Sequence, residues 1–331
     1  MTREINLVHP LPDNPLVTIV TPSFNQAPYI EATIRSVLEQ DYAPIEYLVI
    51  DGGSTDGTLA ILERYAGRLT YVSEPDGGQA DAINKGMRMA RGQIRAWLNS
   101  DDCYTPGAVR AVVETFRAHP DWAFLYGDAL AIDAAGRAYG IRAHVHQTDK
   151  RELVEVGDYI VQPAAFWRAE LWQTIGELDA SLHYALDYEY WMRAAGHFAL
   201  HYVPVCLAIE RLHGGAKTAK GAIGRIEEIE HVARRHGGAG LPARFRGEGA
   251  AGYTLRALQQ GLRGRFSAAR RDLERAAALR PPLGRYLSWL ATLTLLGGGA
   301  VPALWLQLNR GRQGRKVETR MPADYTPAEA P

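Results

Sequence analysis

Cysteine is scarce in this chain, with two residues among 331, Cys103 and Cys206, far apart in sequence. Two such cysteines cannot form a disulfide framework, and their scarcity fits a reducing compartment. Net charge is absent too. Lys plus Arg and Asp plus Glu number 37 each, so bulk charge gives no reason to expect a nucleic-acid partner. Residues 1–14 carry charges and prolines but no apolar h-region, so no secretory signal is expected there. No G-x-G-x-x-G follows the first strand-like run, which argues against a dinucleotide-dependent dehydrogenase. What is present is ordinary for a globular protein: 47% hydrophobic and 22% charged residues. The length suggests roughly two domains.

From Val17 to Asp133 the pattern alternates strand and helix. Val17-Thr-Ile-Val-Thr21 is a β-branched run that ends at the turn Pro22-Ser-Phe-Asn25. Tyr29 to Gln40 follows with helical spacing of Ile30, Ile34, Val37 and Leu38. Further strands are expected at Ile45–Ile50, Leu69–Ser73, Ile94–Leu98 and Ala123–Ile132. Helices are expected at Thr58–Tyr65, Gln79–Ala90 and from Pro106 to about His119. Such alternation implies a mostly parallel sheet with helices on both faces. Ligands of such sheets sit at the carboxyl ends of the strands. The polar, Gly-rich and acidic segments follow strands one to four, so they are expected to converge on one edge.

From Asp158 to Ile209 the pattern is α+β and is expected to close the site from the other side. Beyond Gly214, Ala222–His236 reads as a polar helix. Ala250–Leu279 reads as a helical hairpin turning near Gly264, similar to one tetratricopeptide-like unit. A single unit cannot bury its own face. Tyr286–Leu308 holds no charged residue across 23 positions, long enough for a bilayer span of ~20 residues. It is interrupted by Gly297-Gly-Gly299 and Pro302, and flanked by Arg285, Arg310, Arg312, Arg315 and Lys316. A span, a membrane-surface contact and a soluble hairpin all stay open for it. The arginines crowding Arg244–Arg320 suggest an anionic neighbour, phospholipid first.

Several segments carry chemistry. Asn99-Ser-Asp101-Asp102 sets two adjacent carboxylates at a strand end, where they repel unless a cation or water answers them. A hard divalent cation takes carboxylate and phosphate oxygens. The plainer alternative is a helix cap ahead of Pro106. Asp51-Gly-Gly-Ser54-Thr-Asp56 lets backbone approach a ligand, and Asp51 can accept a proton from a base or ribose. Around Asp76-Gly-Gly78, Asp81 and Lys85 stand at i, i+4; Lys85 would approach phosphates, and Asn84 or Asp81 a sugar or ribose. Asp187 and Glu189 at i, i+2 do not share a helix face, so one can face the cleft while the other serves the scaffold. A base that deprotonates an incoming hydroxyl is one use for such a carboxylate. His213 reads as a third metal ligand, a phosphate contact or a solvated side chain. His144 and His146 form a weaker metal-like pair.

Taken together, these segments resemble family 2 glycosyltransferases. The resemblance rests on Val17-Thr-Ile-Val-Thr-Pro-Ser-Phe-Asn25, Tyr47-Leu-Val-Ile-Asp-Gly-Gly-Ser-Thr-Asp-Gly-Thr58, Ser73-Glu-Pro-Asp-Gly-Gly78, Asn84-Lys-Gly86, Trp97-Leu-Asn-Ser-Asp-Asp102 and Asp187-Tyr-Glu-Tyr-Trp191. It implies the nucleotide-sugar fold called GT-A, with a catalytic domain over residues 1–216. The nucleotide half would cover about 15–135 and the acceptor half about 136–216. A helical extension, possible membrane contact included, would follow at 217–316, with a disordered tail at 317–331. The resemblance implies that Thr21, Pro22, Asp51, Ser54, Asp76, Lys85 and Asp101 line the donor pocket. Asp102, Asp101 and His213 would serve Mn2+ or Mg2+, and Asp187 would be the catalytic base. Where the family often has Glu before this Asp, the chain has Leu186, which leaves Asp187 and Glu189 both open as base. The implied activity is sugar transfer with inversion from a nucleotide-diphosphate donor, UDP-sugar first, to an acceptor hydroxyl. The implied setting is surface polysaccharide or lipid-linked glycan synthesis, in the cytoplasm or at the inner membrane face. A nucleotidyltransferase would want a Gly-rich Lys/Arg loop where Pro22-Ser-Phe-Asn25 stands. A non-catalytic glycan-assembly scaffold would not need Asp51, Asp101, Asp102 and Asp187.

Overall fold

The β-branched run forms strand β1 (Val17–Ser23), buried along its whole length. Burial on both faces is what a strand flanked by helices on either side requires, and it takes in Thr18, Thr21 and Ser23 along with the apolar residues. The structure is a computed structural model, and it describes residues 8–141, 146–217 and 221–279. The chain divides into two compact units. Among the described residues, one takes those up to 150 together with 159–211, and the other takes 151–158 and those from 212 to 279. The sequence places this division at 216.

In the first unit, β1 is followed by α1 (Ile30–Leu38), β2 (Ile45–Asp51), α2 (Thr58–Arg64), β3 (Thr70–Ser73), α3 (Gln79–Met89) and β4 (Ile94–Trp97). Then come a two-residue strand β5 (Cys103–Tyr104), α4 (Ala108–Ala118), β6 (Phe124–Asp133) and β7 (Ala138–Ile141). After α5 (Lys150–Glu155), which belongs to the second unit from its second residue on, the first unit resumes with β8 (Ala165–Arg168), α6 (Ala169–Ile175), α7 (Leu186–Ala194) and β9 (Leu200–Leu212). The sheet order is β3-β2-β1-β4-β8-β6-β9-β5, with β7 on β6. The first four strands pair in parallel. Beyond β4 the pairings are antiparallel, β4 with β8, β8 with β6, β6 with β7 and β5 with β9. The sheet as a whole is therefore mixed, with its parallel half in the expected place.

Register decides what meets at the edge. Ser23 lies opposite Asp51, and Asp51 opposite Ser73, so the loops after β1, β2 and β3 leave from one level. Helix α3 seats against this half because Gly86 has no side chain; a Cβ there would run into Val20 and crowd Ile50.

An aromatic block ties the two halves together. Trp97 ends β4, Trp167 lies on β8, and Tyr190 and Trp191 lie on α7; all four are fully buried. The rings of Trp97 and Trp191 stack at 5.4 Å, and Trp167 stands edge-on to Trp97 at 5.2 Å. Each such pair adds about 0.5–1.5 kcal/mol beyond the burial of its area. This packing fixes α7 against the strand that leads into Asn99-Ser-Asp-Asp102.

In the second unit, α8 (Ala222–Arg235) is followed by an antiparallel pair, α9 (Arg246–Leu262) and α10 (Phe266–Ala278). The chain reverses at Gly264, whose φ of +72° suits glycine. Arg256 bridges Asp272 at 2.7 Å and Glu227 at 3.0 Å, while Arg275 reaches Glu230 at 2.7 Å. Among the described residues no helix is long and apolar enough to cross a membrane. The apolar stretch 286–308 and the tail 317–331 lie outside the described residues, as does His144.

Candidate active site

The loops at the carboxyl edge are stitched to one another by their own polar side chains. Ser54 Oγ accepts from the Asn25 N–H at 2.7 Å and donates to Asp51 Oδ1 at 2.5 Å. The Asn25 side chain returns the link by accepting from the Thr55 N–H at 2.8 Å. Asn25 sits at φ 53°, a left-handed conformation that asparagine tolerates better than most residues. Gln26 N–H and Ala27 N–H donate to Thr58 and Asp56 at 3.0 Å each. The loops after β1 and β2 thus form one piece.

Asp51 is the centre of that piece. It is fully buried and accepts from Gly53 N–H, Ser54 N–H, Ser54 Oγ and Ser73 Oγ at 2.5–3.1 Å. Four donors match the roughly four lone-pair positions of a carboxylate. Its visible work is to hold the loops after β2 and β3 in register. Asp76 is exposed and accepts from Gly78 N–H at 2.8 Å. It lies so close over Gly52 that a Cβ there would come within 2.9 Å of its carboxylate. Thr21 is buried at the end of β1 and shares a 3.1 Å hydrogen bond with the Tyr47 hydroxyl; Pro22 is buried beside it.

The loop after β4 joins the same edge. Gln79, at the start of α3, donates to Asn99 Oδ1 at 2.8 Å. Asn99 donates to Gln162 Oε1 at 2.9 Å and to Asp102 Oδ2 at 3.2 Å. Gln162 in turn donates to the Trp97 carbonyl at 2.9 Å. From the α1 side, Thr33 donates to the Asp102 carbonyl at 2.7 Å. Asp102 itself is buried, and Arg211 N–H donates to its Oδ1 at 2.9 Å. Burial pushes its carboxyl well above the usual carboxylate range, and the charges of Asp101 and Glu210 push the same way; the bonds from Arg211 and Asn99 oppose them. Arg211 also donates from Nε to the Asp101 carbonyl at 3.1 Å and lies over the Tyr29 ring at 5.2 Å. The helix-cap reading of Asp101-Asp102 does not hold. Helix α4 begins at Ala108 behind Gly107, with no side-chain cap.

A buried carboxylate pressed by two others has the chemistry of a hard-cation ligand. Among the described residues, no three His, Cys, Asp or Glu side chains stand together as a ready metal cage. Mg2+-type ions commonly take one or two carboxylates and complete their shell with phosphates and water, so Asp101 and Asp102 fit that use. His213 follows the last residue of β9 and belongs to the second unit.

Helix α7 separates its two carboxylates as the i, i+2 spacing requires. Glu189 is fully buried, and Arg193 Nε lies 2.9 Å from both of its carboxylate oxygens. Arg193 also donates to the carbonyls of Ile175 and Glu177. Glu189 is thus committed to the scaffold. Asp187 is half-buried in the first turn and accepts from the Tyr188 N–H at 2.8 Å. Two neighbours differ from their expected settings. Asn84 is buried and pairs with the Leu178 backbone in both directions at 2.9 Å, which ties α3 to the segment before α7 instead of presenting an amide to a sugar. Lys85 pairs with Glu74 on the loop after β3.

Gln79, Gln162, Glu210 and Arg211 join this network without a role having been expected for them from the sequence, and Asn99 was noted only as part of the acidic segment. Glu210-Arg211, a charged pair ending an apolar strand, is the one local signal that pointed to any of them. A cavity of about 270 Å3, lined by His9, Arg91, Gln93, Arg95, Glu170 and Gln173, opens where β4 begins and β8 ends. It therefore lies at the sheet edge opposite the acidic loops.

The profile described as Glycosyl transferase family 2 matches residues 18–151. An uncharacterised glycosyltransferase of Mycobacterium tuberculosis is 32% identical over 184 residues, which cover 55% of this chain and 69% of that protein. Chondroitin synthase of Escherichia coli is 29% identical over 184 residues, or 54% of this chain and 26% of that protein. Among solved structures, Staphylococcus aureus TarS 1-349 in complex with UDP-GlcNAc aligns with a TM-score of 0.57 at 17% identity, over 78% of this chain and 81% of that one. A mannosyltransferase from Pyrobaculum calidifontis in complex with GDP-Man and Mn2+ aligns with a TM-score of 0.54 at 22% identity, over 92% of this chain and 86% of that one. The fold is therefore that of the GT-A glycosyltransferases. The chain belongs to glycosyltransferase family 2 and is a glycosyltransferase.

Proposed function

We propose that the chain transfers a sugar from a nucleotide-diphosphate donor, a UDP-sugar first, to an acceptor hydroxyl with inversion at the anomeric carbon. The observation that carries this reading is the stitched carboxyl edge, where the loops after β1, β2, β3 and β4 are joined hydrogen bond by hydrogen bond around Asp51 and Asp102. Thr21, Pro22, Asp51 and Ser54 shape the base and ribose end of the donor pocket. Asp76 and Lys85 serve the ribose and phosphate side, with Lys85 exchanging Glu74 for phosphate. Asp102 and Asp101 would hold Mn2+ or Mg2+. Such an ion, when bound, neutralises the charge that grows on the departing diphosphate. Arg211 and Asn99 keep the Asp102 carboxylate aimed, and Asp187 takes the proton of the attacking hydroxyl. The chondroitin synthase among the relatives supports polysaccharide synthesis, and the TarS and mannosyltransferase complexes support a nucleotide-sugar donor and a divalent ion. We place the work at the cytoplasmic face of the membrane, where such acceptors are built.

The test is release of nucleoside diphosphate from a panel of UDP-, dTDP- and GDP-sugars, with Mn2+, with Mg2+ and with EDTA. One donor is expected to turn over with metal and to stop in chelator. Equal turnover in chelator would remove the metal from the reading, and no turnover of any donor with any glycan acceptor would remove the donor.

A further inference from the structure

The tip of the second unit's helical hairpin exposes large apolar side chains that a lone soluble domain has no use for. Leu262 is 90% exposed and Phe266 74% exposed, on either side of the Gly264 turn. Leu258, one turn before Leu262 on α9, and Leu273, two turns after Phe266 on α10, are about half exposed. The hairpin has another face for its core, made by Ala250, Tyr253 and Ala257 on α9 and by Ala269 and Ala276 on α10. The exposed set is therefore not a piece of the core left open. Single exposed leucines are ordinary, but four grouped around one turn mark a contact surface.

The charges around the tip indicate what it contacts. Residues 258–271 contain four arginines and no Asp or Glu. Arg270 is answered by Glu274 at 2.8 Å. Among the described residues no carboxylate pairs with Arg263, Arg265 or Arg271. Elsewhere in the same unit Arg225 pairs with Glu248, Arg234 and Arg275 with Glu230, and Arg256 with Asp272 and Glu227. Unpaired arginines beside a protruding leucine and phenylalanine complement a surface that is negative outside and apolar beneath. An anionic bilayer has that structure: basic side chains meet the headgroups while apolar ones enter the acyl boundary.

We propose that the α9–α10 tip, through Leu262 and Phe266 with Arg263, Arg265 and Arg271, is a docking surface for anionic phospholipid. The contact is peripheral and reversible. It stands apart from the donor and base assignments, because its test reads binding and not turnover.

The experiment is co-sedimentation of the full chain with vesicles of phosphatidylcholine containing about one-third phosphatidylglycerol, against vesicles of phosphatidylcholine alone. Binding is expected to the anionic vesicles only, and to fall as salt is raised from 0.1 to 0.5 M. The double variant Leu262→Ser/Phe266→Ser is expected to weaken binding by about tenfold or more. Arg263→Gln/Arg265→Gln is expected to weaken it by about 25-fold, from roughly fivefold per arginine. These side chains are exposed, so both variants should keep the parent's circular dichroism and melting midpoint, which is checked first. Three results overturn the proposal. One is no binding of the parent to anionic vesicles. Another is undiminished binding by both folded variants, which would assign the contact to another segment such as 286–316. The third is self-association of the parent that the Leu262→Ser/Phe266→Ser variant abolishes without any lipid binding, which would assign the tip to a second copy of the chain.

Discussion

Replacing Glu189 should damage the fold and spare the chemistry, and the size of the damage follows from its surroundings. The side chain is fully buried, and its charge is answered by Arg193 at 2.9 Å through both oxygens. Removing one partner of a buried ion pair leaves the other uncompensated, at a cost of about 3–5 kcal/mol. Arg193 keeps two carbonyl acceptors, at Ile175 and Glu177, so the lower end applies to Glu189→Gln and the upper end to Glu189→Ala. For a unit of this size each kcal/mol moves the melting midpoint by about 2–4 °C, which gives a fall of about 6–20 °C. Thermal melts measure the fall. Turnover is then compared per folded molecule, at a temperature where parent and variant are both folded. There Glu189→Gln should retain its rate within about tenfold. A variant that melts with the parent and loses turnover several hundredfold would refute the reasoning and make Glu189 the base.

Asp187→Asn should behave in the opposite way: an unchanged melting midpoint, unchanged donor binding, and a rate lower by ~10²–10⁴-fold, the usual worth of a general base. Loss of donor binding with turnover preserved would sink that assignment. Gln162→Leu leaves the Trp97 carbonyl and the Asn99 amide without their buried partner. It should cost about 1–3 kcal/mol in a denaturant melt and weaken metal activation. A variant as stable and as responsive to Mn2+ as the parent would show that the Asn99 clamp is idle. His201 stacks on Trp122 at 3.9 Å, and burial pulls its pKa below the ordinary imidazole value. The unfolded chain then binds the extra proton more readily. The His201 contribution to stability is therefore present above about pH 6.5 and is lost as pH falls through the lowered value. His201→Gln should flatten the stability curve in that window, and an equally steep curve would remove His201 as the cause.

The parallel half of the sheet was legible because each strand is a short run rich in β-branched and apolar residues that ends at a polar turn. The helices between them have clear 3.6-residue spacing, as at Ile30, Ile34 and Val37. The antiparallel half was less so. Nothing local in Ala165–Arg168 says that it inserts between β4 and β6, and a strand as short as Cys103–Tyr104 has no period to read. The same distance limit governs the site. Asp51, Asp101, Asp102 and Asp187 announced themselves by local grouping, whereas Gln162 and Arg211 reach the same network from 60 to 110 residues away in sequence. Spacing showed that Asp187 and Glu189 face apart, but only the position of Arg193 relative to the fold decided which of them is buried. Asn84 and Lys85 sat within a suggestive motif, and their partners, Leu178 and Glu74, were invisible to it.

Calorimetric titration of UDP, with and without Mn2+, into the parent and into Asp102→Asn tests most directly whether the stitched edge is a cation-assisted diphosphate site. The parent should bind UDP at least tenfold more tightly with Mn2+, and the variant should show no such gain. Equal Mn2+ enhancement in both, or none in the parent with any nucleoside diphosphate, would contradict the account.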